Sequence, residues 1–238
     1  MANVKIRVAS GGRKMAVFDV DGTIFRSSLL ISLVNHLVET DVFPKNAERV
    51  YERAHTKWLD REGDYEEYIQ AVIEAFQKHL KGVHYGVLAD AAEEVVKHEY
   101  KRLYRYTRDL ITDLKQRGYF LLAVSHSPKT ILDKFCPRLG FNKVYGSIYE
   151  IGPQECFTGE ITDAHLIYNK ANILKRAVEK ENLTLKDSIG VGDTESDISF
   201  LEMVAEPICF NPNQKLYRYA KRMGWKVVVE RKDVVYEM

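Results

Sequence analysis

Two aspartates close the first apolar run of the sequence. Met15–Phe18 leads into Asp19 and Asp21, and Gly22 and Thr23 follow directly. Alternate side chains of a strand point to the same side, so both carboxylates are expected to face one way. Gly22 permits a tight turn, and we expect its backbone N–H to face an anion. The pattern favours an acidic reaction centre at a strand end, and a strand that simply ends in an Asx-type turn is the alternative.

A second apolar run ends in acidic residues much later in the chain. Asp193 closes this run, and Asp197 follows where a helix is expected to begin. A helix N-cap accounts well for Asp197 but less well for Asp193, which lies at the strand end itself. If the two strands are parallel, Asp19, Asp21 and Asp193 meet at one sheet edge and repel one another. Because carboxylate oxygens suit hard divalent cations, the sequence predicts a Mg²⁺ site there.

Two further residues are suited to a phosphate group. Ser125 ends the apolar run Leu121–Val124, and Ser127 and Pro128 after it are typical of a helix start. A hydroxyl beside the free N–H groups of a helix start is a natural phosphate site, and an ordinary helix cap at Ser127 is the alternative. Lys170 opens another predicted helix, where its charge opposes the macrodipole. It is expected either to neutralise phosphate or to lie solvated.

Short apolar runs that alternate with helical patterns predict the elements that hold these residues. The strand-like runs are Met15–Phe18, Phe120–Val124, Ser188–Val191, Ile208–Phe210 and Lys226–Val229. Strands that alternate with helices predict an α/β fold with a doubly wound parallel sheet, in which ligands bind at the carboxyl ends of the strands. Turn signals within 148–161 predict a small hairpin beside this sheet.

The segment 28–107 contains almost no β-type run and has the spacing of helices instead. Breakers such as Pro44 and Gly63 separate its helical patterns. Because this segment follows the first core strand at once, we expect it to form a cap over the carboxyl edge of the sheet. The predicted domains are therefore an α/β core of residues 1–27 and 108–238 and a helical cap of residues 28–107.

Taken in order, these motifs resemble the four motifs of the haloacid dehalogenase-like superfamily of phosphatases. The matching residues are Asp19, Asp21, Gly22 and Thr23, then Ser125, then Lys170, and finally Gly192, Asp193 and Asp197. The resemblance covers nearly the whole chain from Met15 onward, and the helical insert is similar to the C1 cap of the phosphoserine phosphatase-like subfamily. It implies a Rossmann-like core and a Mg²⁺-dependent phosphomonoesterase that acts on a small phosphorylated metabolite.

The resemblance also implies catalytic roles. Asp19 would attack phosphorus and form an aspartyl-phosphate. Asp21 would protonate the leaving oxygen and then activate water for the second step. Ser125 and Lys170 would hold the phosphoryl oxygens, together with the Gly22 N–H expected above, and Lys170 is counted among the catalytic residues for this reason.

A metal site is implied in the same way. Asp19, the backbone carbonyl of Asp21, and Asp193 would bind Mg²⁺. Asp197 and Thr23 would lie just outside these ligands, with the Asp197 carboxylate orienting the lysine or metal-bound water.

Three positions depart from the phosphoserine phosphatase pattern. Those enzymes usually carry an acidic residue, which meets the substrate amino group, at the position of Ser28. Asn usually precedes the last aspartate of the fourth motif, where this chain has Ser196. His126 is bulkier than the residue that commonly follows Ser125, and it is expected either to line the pocket or to lie at a helix start. Ser28 and Ser196 count against phosphoserine as the substrate.

Composition limits the class of protein and its partners. The chain has 238 residues, a formal net charge of +1, 45% hydrophobic and 29% charged residues, as is typical of a soluble globular protein without a global attraction to nucleic acid or membranes. Its three widely spaced cysteines predict neither a disulfide framework nor a zinc site. The N-terminus has no run like a signal peptide, so we expect a cytoplasmic enzyme.

Two other functions stay open. One is a phosphotransferase to an acceptor other than water, which would share the aspartyl-phosphate. The other is a non-catalytic module that binds a phosphate ligand, although such a module would not need the acid at Asp21. The sequence predicts neither the substrate's identity nor the oligomeric state. The first dozen residues lie outside the resemblance and are expected to form an extra strand or a loose tail.

Overall fold

A computed structural model describes residues 12–162 and 169–238. Its strands are β1 Arg13–Phe18, β2 Phe120–Pro128, β3 Lys143–Ile151, β4 Phe157–Thr162, β5 Leu183–Gly192, β6 Glu206–Phe210, β7 Lys226–Arg231 and β8 Val234–Glu237. Its helices are Leu29–Glu39, Glu52–Leu59, Tyr65–Leu80, Tyr85–Glu99, Arg105–Gln116, Lys129–Leu139, Lys170–Lys180, Ile198–Leu201 and Gln214–Met223. Short 3-10 turns lie at Ala47–Val50, Pro153–Glu155 and Glu195–Asp197. The expectation for the first dozen residues falls almost entirely outside the described ranges.

The strands form one sheet in the order β4-β3-β2-β1-β5-β6-β7-β8. The strands from β3 to β7 in this order are parallel, and β4 and β8 add antiparallel edges. Because β1 lies between β2 and β5, the winding direction reverses beside it, and a crevice is expected outside the carboxyl ends at such a switch point. The predicted doubly wound α/β fold is confirmed.

The edges of the sheet differ from the prediction. The predicted hairpin is present as β3 and β4, but β3 begins at Lys143 and also pairs in parallel with β2. Gly146 interrupts the apolar character of β3 for a packing reason, since a Cβ there would lie 2.4 Å from Leu132 Cδ1. The strand β8 was not predicted because it is short and largely exposed. Propensity alone does not identify such edge strands.

The end of β2 also differs from the prediction. The strand continues to Pro128, and the next helix begins at Lys129. The Ser127 N–H donates to the Ser125 hydroxyl at 2.9 Å, and the Ser147 hydroxyl of β3 donates to the His126 carbonyl at 2.7 Å. These bonds keep the chain extended, so Ser127 is not a helix cap and His126 does not lie at a helix start.

Successive residues of β1 face two separate cores. Met15 and Val17 pack on one face of the sheet, and Ala16 and Phe18 pack on the other, where the core continues into the helical insert. All of these side chains are fully buried. Burial on both faces is typical of a central parallel strand. The backbone that carries Asp19 is therefore fixed from both sides.

The helical insert is joined to the sheet by two adjacent linkers. The Arg26 N–H donates to the Arg102 carbonyl at 2.8 Å, and the Tyr104 N–H donates to the Ile24 carbonyl at 3.0 Å. The chain thus leaves and re-enters the core at one place. No helix in the two described ranges has both the length and the apolar character that crossing a bilayer requires.

The predicted cap boundary needs one adjustment. Residues 107 and 108 both lie inside the helix Arg105–Gln116, which packs on the sheet through Ile111 and Leu114. Because a domain boundary seldom divides a helix, we propose that the cap comprises residues 28–104, ending at the paired linkers.

The Thr107 side chain ties the returning helix to the loop after β1. Its hydroxyl is fully buried and donates to the Thr23 carbonyl at 2.9 Å. Since Thr23 directly follows the two aspartates and the glycine, this bond fixes the loop that carries them.

We expect Thr107→Val to lower the free energy of unfolding by about 1–3 kcal/mol, because the buried Thr23 carbonyl would lose its donor. Urea denaturation would measure the change. Thr112→Val, on the same helix, is the matched control: the Thr112 hydroxyl is exposed and donates to the Arg108 carbonyl of its own helix. That variant should stay within about 0.5 kcal/mol of the parent. Equal losses in the two variants would contradict the assigned role of Thr107.

Candidate active site

The predicted site residues converge at the carboxyl ends of β1, β2 and β5. Asp19 and Asp21 follow β1, Ser125 lies near the end of β2, and Asp193 follows β5. A cavity of about 60 Å³ lies among these strand ends. It is lined by Asp19, Asp21, Ser28, Leu30, Tyr65, Glu66, Ile69, Ile73, His126, Ser127, Lys170, Asp193, Thr194 and Ser196.

Lys170 lies between two carboxylates and is almost fully buried. Its Nζ is 2.6 Å from Asp19 Oδ1 and 2.5 Å from Asp197 Oδ1. Lys170 is the first residue of its helix, and the Asn169 side chain caps that helix by accepting the Ala171 N–H at 3.1 Å. Burial disfavours the charged form of Lys170, but the Asp19 and Asp197 carboxylates outweigh it and raise the pKa of the lysine. The structure therefore holds a positive charge at the sheet edge.

The oxygens of Asp197 are both engaged within the protein. Oδ1 accepts from Lys170, and Oδ2 accepts the N–H groups of Asp193 at 2.9 Å and Thr194 at 3.0 Å. Gly192 permits this approach, since a Cβ there would lie 2.6 Å from the Asp197 side chain. Asp197 thus orients Lys170 and the loop after β5, and both of its oxygens already accept hydrogen bonds within the protein.

Asp19, Asp193 and Asp197 form an acidic cluster, with one oxygen of each within 4.8 Å of the others. Burial raises the pKa of Asp19 well above its usual value, and the Lys170 ammonium opposes this rise. Burial, then the charges of Asp19 and Asp197, raise the pKa of Asp193 in the same direction. Three carboxylates share one ammonium, so the cluster favours a further cation. Thr23 donates its hydroxyl to Asp193 Oδ1 at 3.3 Å.

Asp21 is held apart from the acidic cluster. Its Oδ1 accepts the Leu29 N–H and its Oδ2 accepts the Ser125 hydroxyl, both at 2.6 Å. Leu29 opens the first cap helix, so this bond links the aspartate to the cap. The Ser125 hydrogen is directed at Asp21 in this arrangement, which places the predicted phosphate-binding hydroxyl next to the predicted acid.

The predicted phosphate contact through the Gly22 N–H is wrong. This N–H donates to the carbonyls of Phe25 at 3.0 Å and Ser27 at 2.9 Å, inside its own loop. Gly22 is needed for a different reason. Its φ is +77°, and a Cβ would lie 2.1 Å from Asp193 Oδ2. The glycine therefore allows the β1 loop to approach the β5 loop closely.

The cap contributes cavity residues that the sequence did not identify. Tyr65, Glu66, Ile69 and Ile73 come from the cap helix Tyr65–Leu80. The sequence predicted this helix, but which of its faces meets the cavity depends on tertiary packing. Burial, followed by the charges of Asp21 and Asp193, raises the pKa of Tyr65, so its hydroxyl is neutral.

Ser28 and His126 also line the cavity. Ser28 is nearly fully buried and is the N-cap of the first cap helix. The place where phosphoserine phosphatases usually carry an acid is thus occupied by a small, neutral capping side chain. His126 extends β2 into the cavity wall, which is the first of the two positions expected for it.

Comparisons with known proteins identify the family of this chain. The family model for haloacid dehalogenase-like hydrolases matches residues 16–202, and the chain belongs to that family. A histidinol-phosphatase of Neisseria meningitidis is 22% identical over 225 residues, which are 91% of this chain and 98% of the relative. A phosphoserine phosphatase of Archaeoglobus fulgidus is 24% identical over 207 residues, which are 86% of this chain and 54% of the relative.

A solved structure is similar in fold. It is a phosphoserine phosphatase with an analogue of the phospho-aspartyl intermediate, with a TM-score of 0.61, 21% identity and coverage of 93% of this chain and 95% of that one. The family resemblance predicted from sequence is confirmed: the chain is an enzyme of the haloacid dehalogenase-like hydrolase family.

We expect Lys170→Met to lower the free energy of unfolding by about 3–5 kcal/mol at neutral pH, because Asp19 and Asp197 would be left buried without their cation. Without the lysine, the pKa of Asp19 in the folded state rises further above its unfolded value. A carboxyl whose pKa is higher in the folded state than in the unfolded state destabilises the fold progressively as pH rises between the two values. The loss of stability in Lys170→Met should therefore be larger at about pH 8 than at about pH 5.

The matched control is Lys175→Met, an exposed lysine on the same helix. Denaturant titrations of both variants across this pH range would measure the effect. A Lys170→Met deficit that does not change with pH would contradict the charge assignment.

Proposed function

We propose that this chain is a Mg²⁺-dependent phosphomonoesterase that hydrolyses a small phosphorylated metabolite through an aspartyl-phosphate at Asp19. The observation that carries the proposal is the buried Lys170 ammonium held between Asp19 and Asp197 beside the cavity. Desolvation makes such a buried ion pair a weak source of stability, so a role in chemistry explains it better. The family and the named phosphatase relatives support the same reaction class.

Asp19 is suited to attack phosphorus. Its Oδ1 accepts from Lys170, which leaves Oδ2 to face the substrate. In the first step, the bond from Oδ2 to phosphorus forms while the bond from phosphorus to the leaving oxygen breaks. Asp21 gives its proton to the leaving oxygen. Lys170 offsets the charge that develops on the phosphoryl oxygens.

The second step reverses the proton movement. Asp21 takes a proton from water as that water attacks phosphorus, and the bond to Asp19 breaks. Inorganic phosphate and the Asp19 carboxylate are the products. Phosphomonoester hydrolysis is extremely slow without a catalyst. The covalent intermediate divides it into two steps, each with a lower barrier than the direct reaction.

Asp19 and Asp193 are the side chains suited to hold Mg²⁺, together with the backbone carbonyl of Asp21. Carboxylate oxygens are the ligands that this ion prefers, and the acidic cluster has fewer positive than negative charges. When bound, Mg²⁺ would offset negative charge on the phosphoryl group. Asp197 is not proposed as a ligand because both of its oxygens accept hydrogen bonds, whereas Asp19 accepts one only at Oδ1 among the described residues.

The proposed substrate class is a small phosphorylated metabolite, handled without nucleic acid or membrane. Phosphoserine itself is not proposed, because Ser28 occupies the position at the cavity wall where phosphoserine phosphatases usually carry an acid. The cytoplasm remains our proposal for the location of the enzyme. Hydrolysis is favoured over transfer because the relatives named above are phosphatases.

We expect Asp19→Asn to lower kcat/KM for a generic aryl phosphate by about a thousandfold or more, because an amide cannot replace the attacking carboxylate. Release of the phenol in the presence of Mg²⁺ measures this. The control is Asp113→Asn, an exposed aspartate paired with Arg117, which should keep full activity. Turnover by Asp19→Asn at the parental rate would refute the mechanism.

We also expect Mg²⁺ to raise the thermal midpoint, since a ligand at about a hundredfold its Kd adds about 2.7 kcal/mol. The raised pKa values of Asp19 and Asp193 mean that protons compete with the ion as pH falls. The shift should therefore be larger at about pH 8 than at about pH 5. Asp193→Asn should reduce it, and Asp187→Asn, at an exposed ion pair with Lys14, should not. Equal shifts in both variants would rule out the proposed ligands.

A further inference from the structure

The cavity has a wall beyond the phosphate site, and this wall comes from the cap. Leu30, Ile69 and Ile73 supply apolar surface, Tyr65 supplies a neutral aromatic ring, and Glu66 supplies a carboxylate. Leu30 is 2% exposed and Ile73 is 9% exposed. The alcohol part of a phosphomonoester is expected to lie against this wall, since its phosphoryl group must meet Asp19.

Positive charge is scarce among the described residues that line the cavity. Lys170 is the only lysine or arginine of that lining, and Asp19 and Asp197 already bind it. A carboxylate on the substrate would therefore find no lysine or arginine there that is not already paired with an aspartate. It would also lie near Asp19, Asp193 and Glu66, and like charges in a confined site reduce affinity.

Glu66 has a neutral partner. Its Oε1 accepts the Gln70 side-chain amide at 2.9 Å, and no lysine, arginine or histidine of the described residues forms an ion pair with it. The next residue, Glu67, is different because it points to solvent and pairs with Lys57 at 2.9 Å. Glu66 thus brings a negative charge to the cavity that the protein does not compensate.

The summed charge of the site with phosphate and Mg²⁺ bound also favours a cationic substrate. A phosphate dianion and a divalent cation offset one another, and Asp21 carries its proton in the first step. Three carboxylates, those of Asp19, Asp193 and Glu66, then face one ammonium at the cavity. A cationic group on the substrate reduces this imbalance, and a further anion increases it.

We propose that the substrate is a phosphomonoester whose alcohol part carries an ammonium or similar cation and no carboxylate, and that Glu66 is the residue that selects it. The inference rests on the proposed phosphatase function and adds the substrate class.

The test uses three phosphate esters, of which the first two have the same number of heavy atoms. Phosphoethanolamine carries the ammonium, 2-hydroxyethyl phosphate replaces it with a neutral hydroxyl, and phosphoserine adds a carboxylate to it. We expect kcat/KM for phosphoethanolamine to exceed both others by at least about tenfold, which corresponds to about 1.4 kcal/mol. Equal values for the first two, or a preference for phosphoserine, would overturn the proposal.

Glu66→Gln should reduce the ratio of kcat/KM between phosphoethanolamine and 2-hydroxyethyl phosphate toward one. Glu67→Gln is the matched control on the adjacent position and should keep the parental ratio, with thermal midpoints measured for both. A ratio that survives in Glu66→Gln would overturn the role of this residue.

Binding separates this proposal from the proposed reaction. Calorimetry with the Asp19→Asn protein and Mg²⁺ should give the same order of affinity for the three esters. If that order appears but the parent hydrolyses neither these esters nor an aryl phosphate, the substrate class stands and the proposed reaction fails. If the aryl phosphate is hydrolysed and the order is absent, the reaction stands and the substrate class fails.

Discussion

A buried ammonium, that of Lys170, lies 2.6 Å from one carboxylate oxygen of Asp19 and 2.5 Å from one of Asp197. These three charged groups come from the end of β1, the start of a helix and the turn after β5, so their contact requires all three elements to meet. Desolvation makes such a cluster a weak source of stability, and apolar side chains of similar volume would often serve as well. The sheet therefore supports an arrangement that is better explained by chemistry than by folding.

The two parts of the candidate site are held with unequal strength. The acids and the lysine follow strands that are buried on both faces, whereas the cavity wall comes from a cap joined by two linkers. Lys215 adds an exposed bridge between them, 2.6 Å from Glu195 at the sheet edge and 3.7 Å from Asp64 of the cap. Exposed pairs of this kind contribute little. Asp64 also caps the helix that carries Glu66, so the residues proposed to select the substrate rest on the weaker part of the structure.

Much of the reaction centre could be predicted because it depends on short-range rules. Apolar runs located β1, β2 and β5, and the parallel arrangement brought Asp19, Ser125 and Asp193 to one edge. The Gly22 N–H was assigned wrongly because its partners, the carbonyls of Phe25 and Ser27, are set by the path of the loop. The cavity wall at Glu66 was not predicted either, since helical spacing identifies an apolar face but not which polar residue meets a neighbouring domain.

The contact between Ser125 and Asp21 connects phosphate binding to acid chemistry. A hydroxyl has a single hydrogen, and here it is donated to Asp21 Oδ2 at 2.6 Å. In the proposed reaction the same hydrogen is needed by a phosphoryl oxygen, so substrate binding withdraws it from Asp21. The carboxylate then loses one of the two donors that hold it. The second donor, the Leu29 N–H, belongs to the first cap helix, so the acid responds both to the phosphate and to the position of the cap.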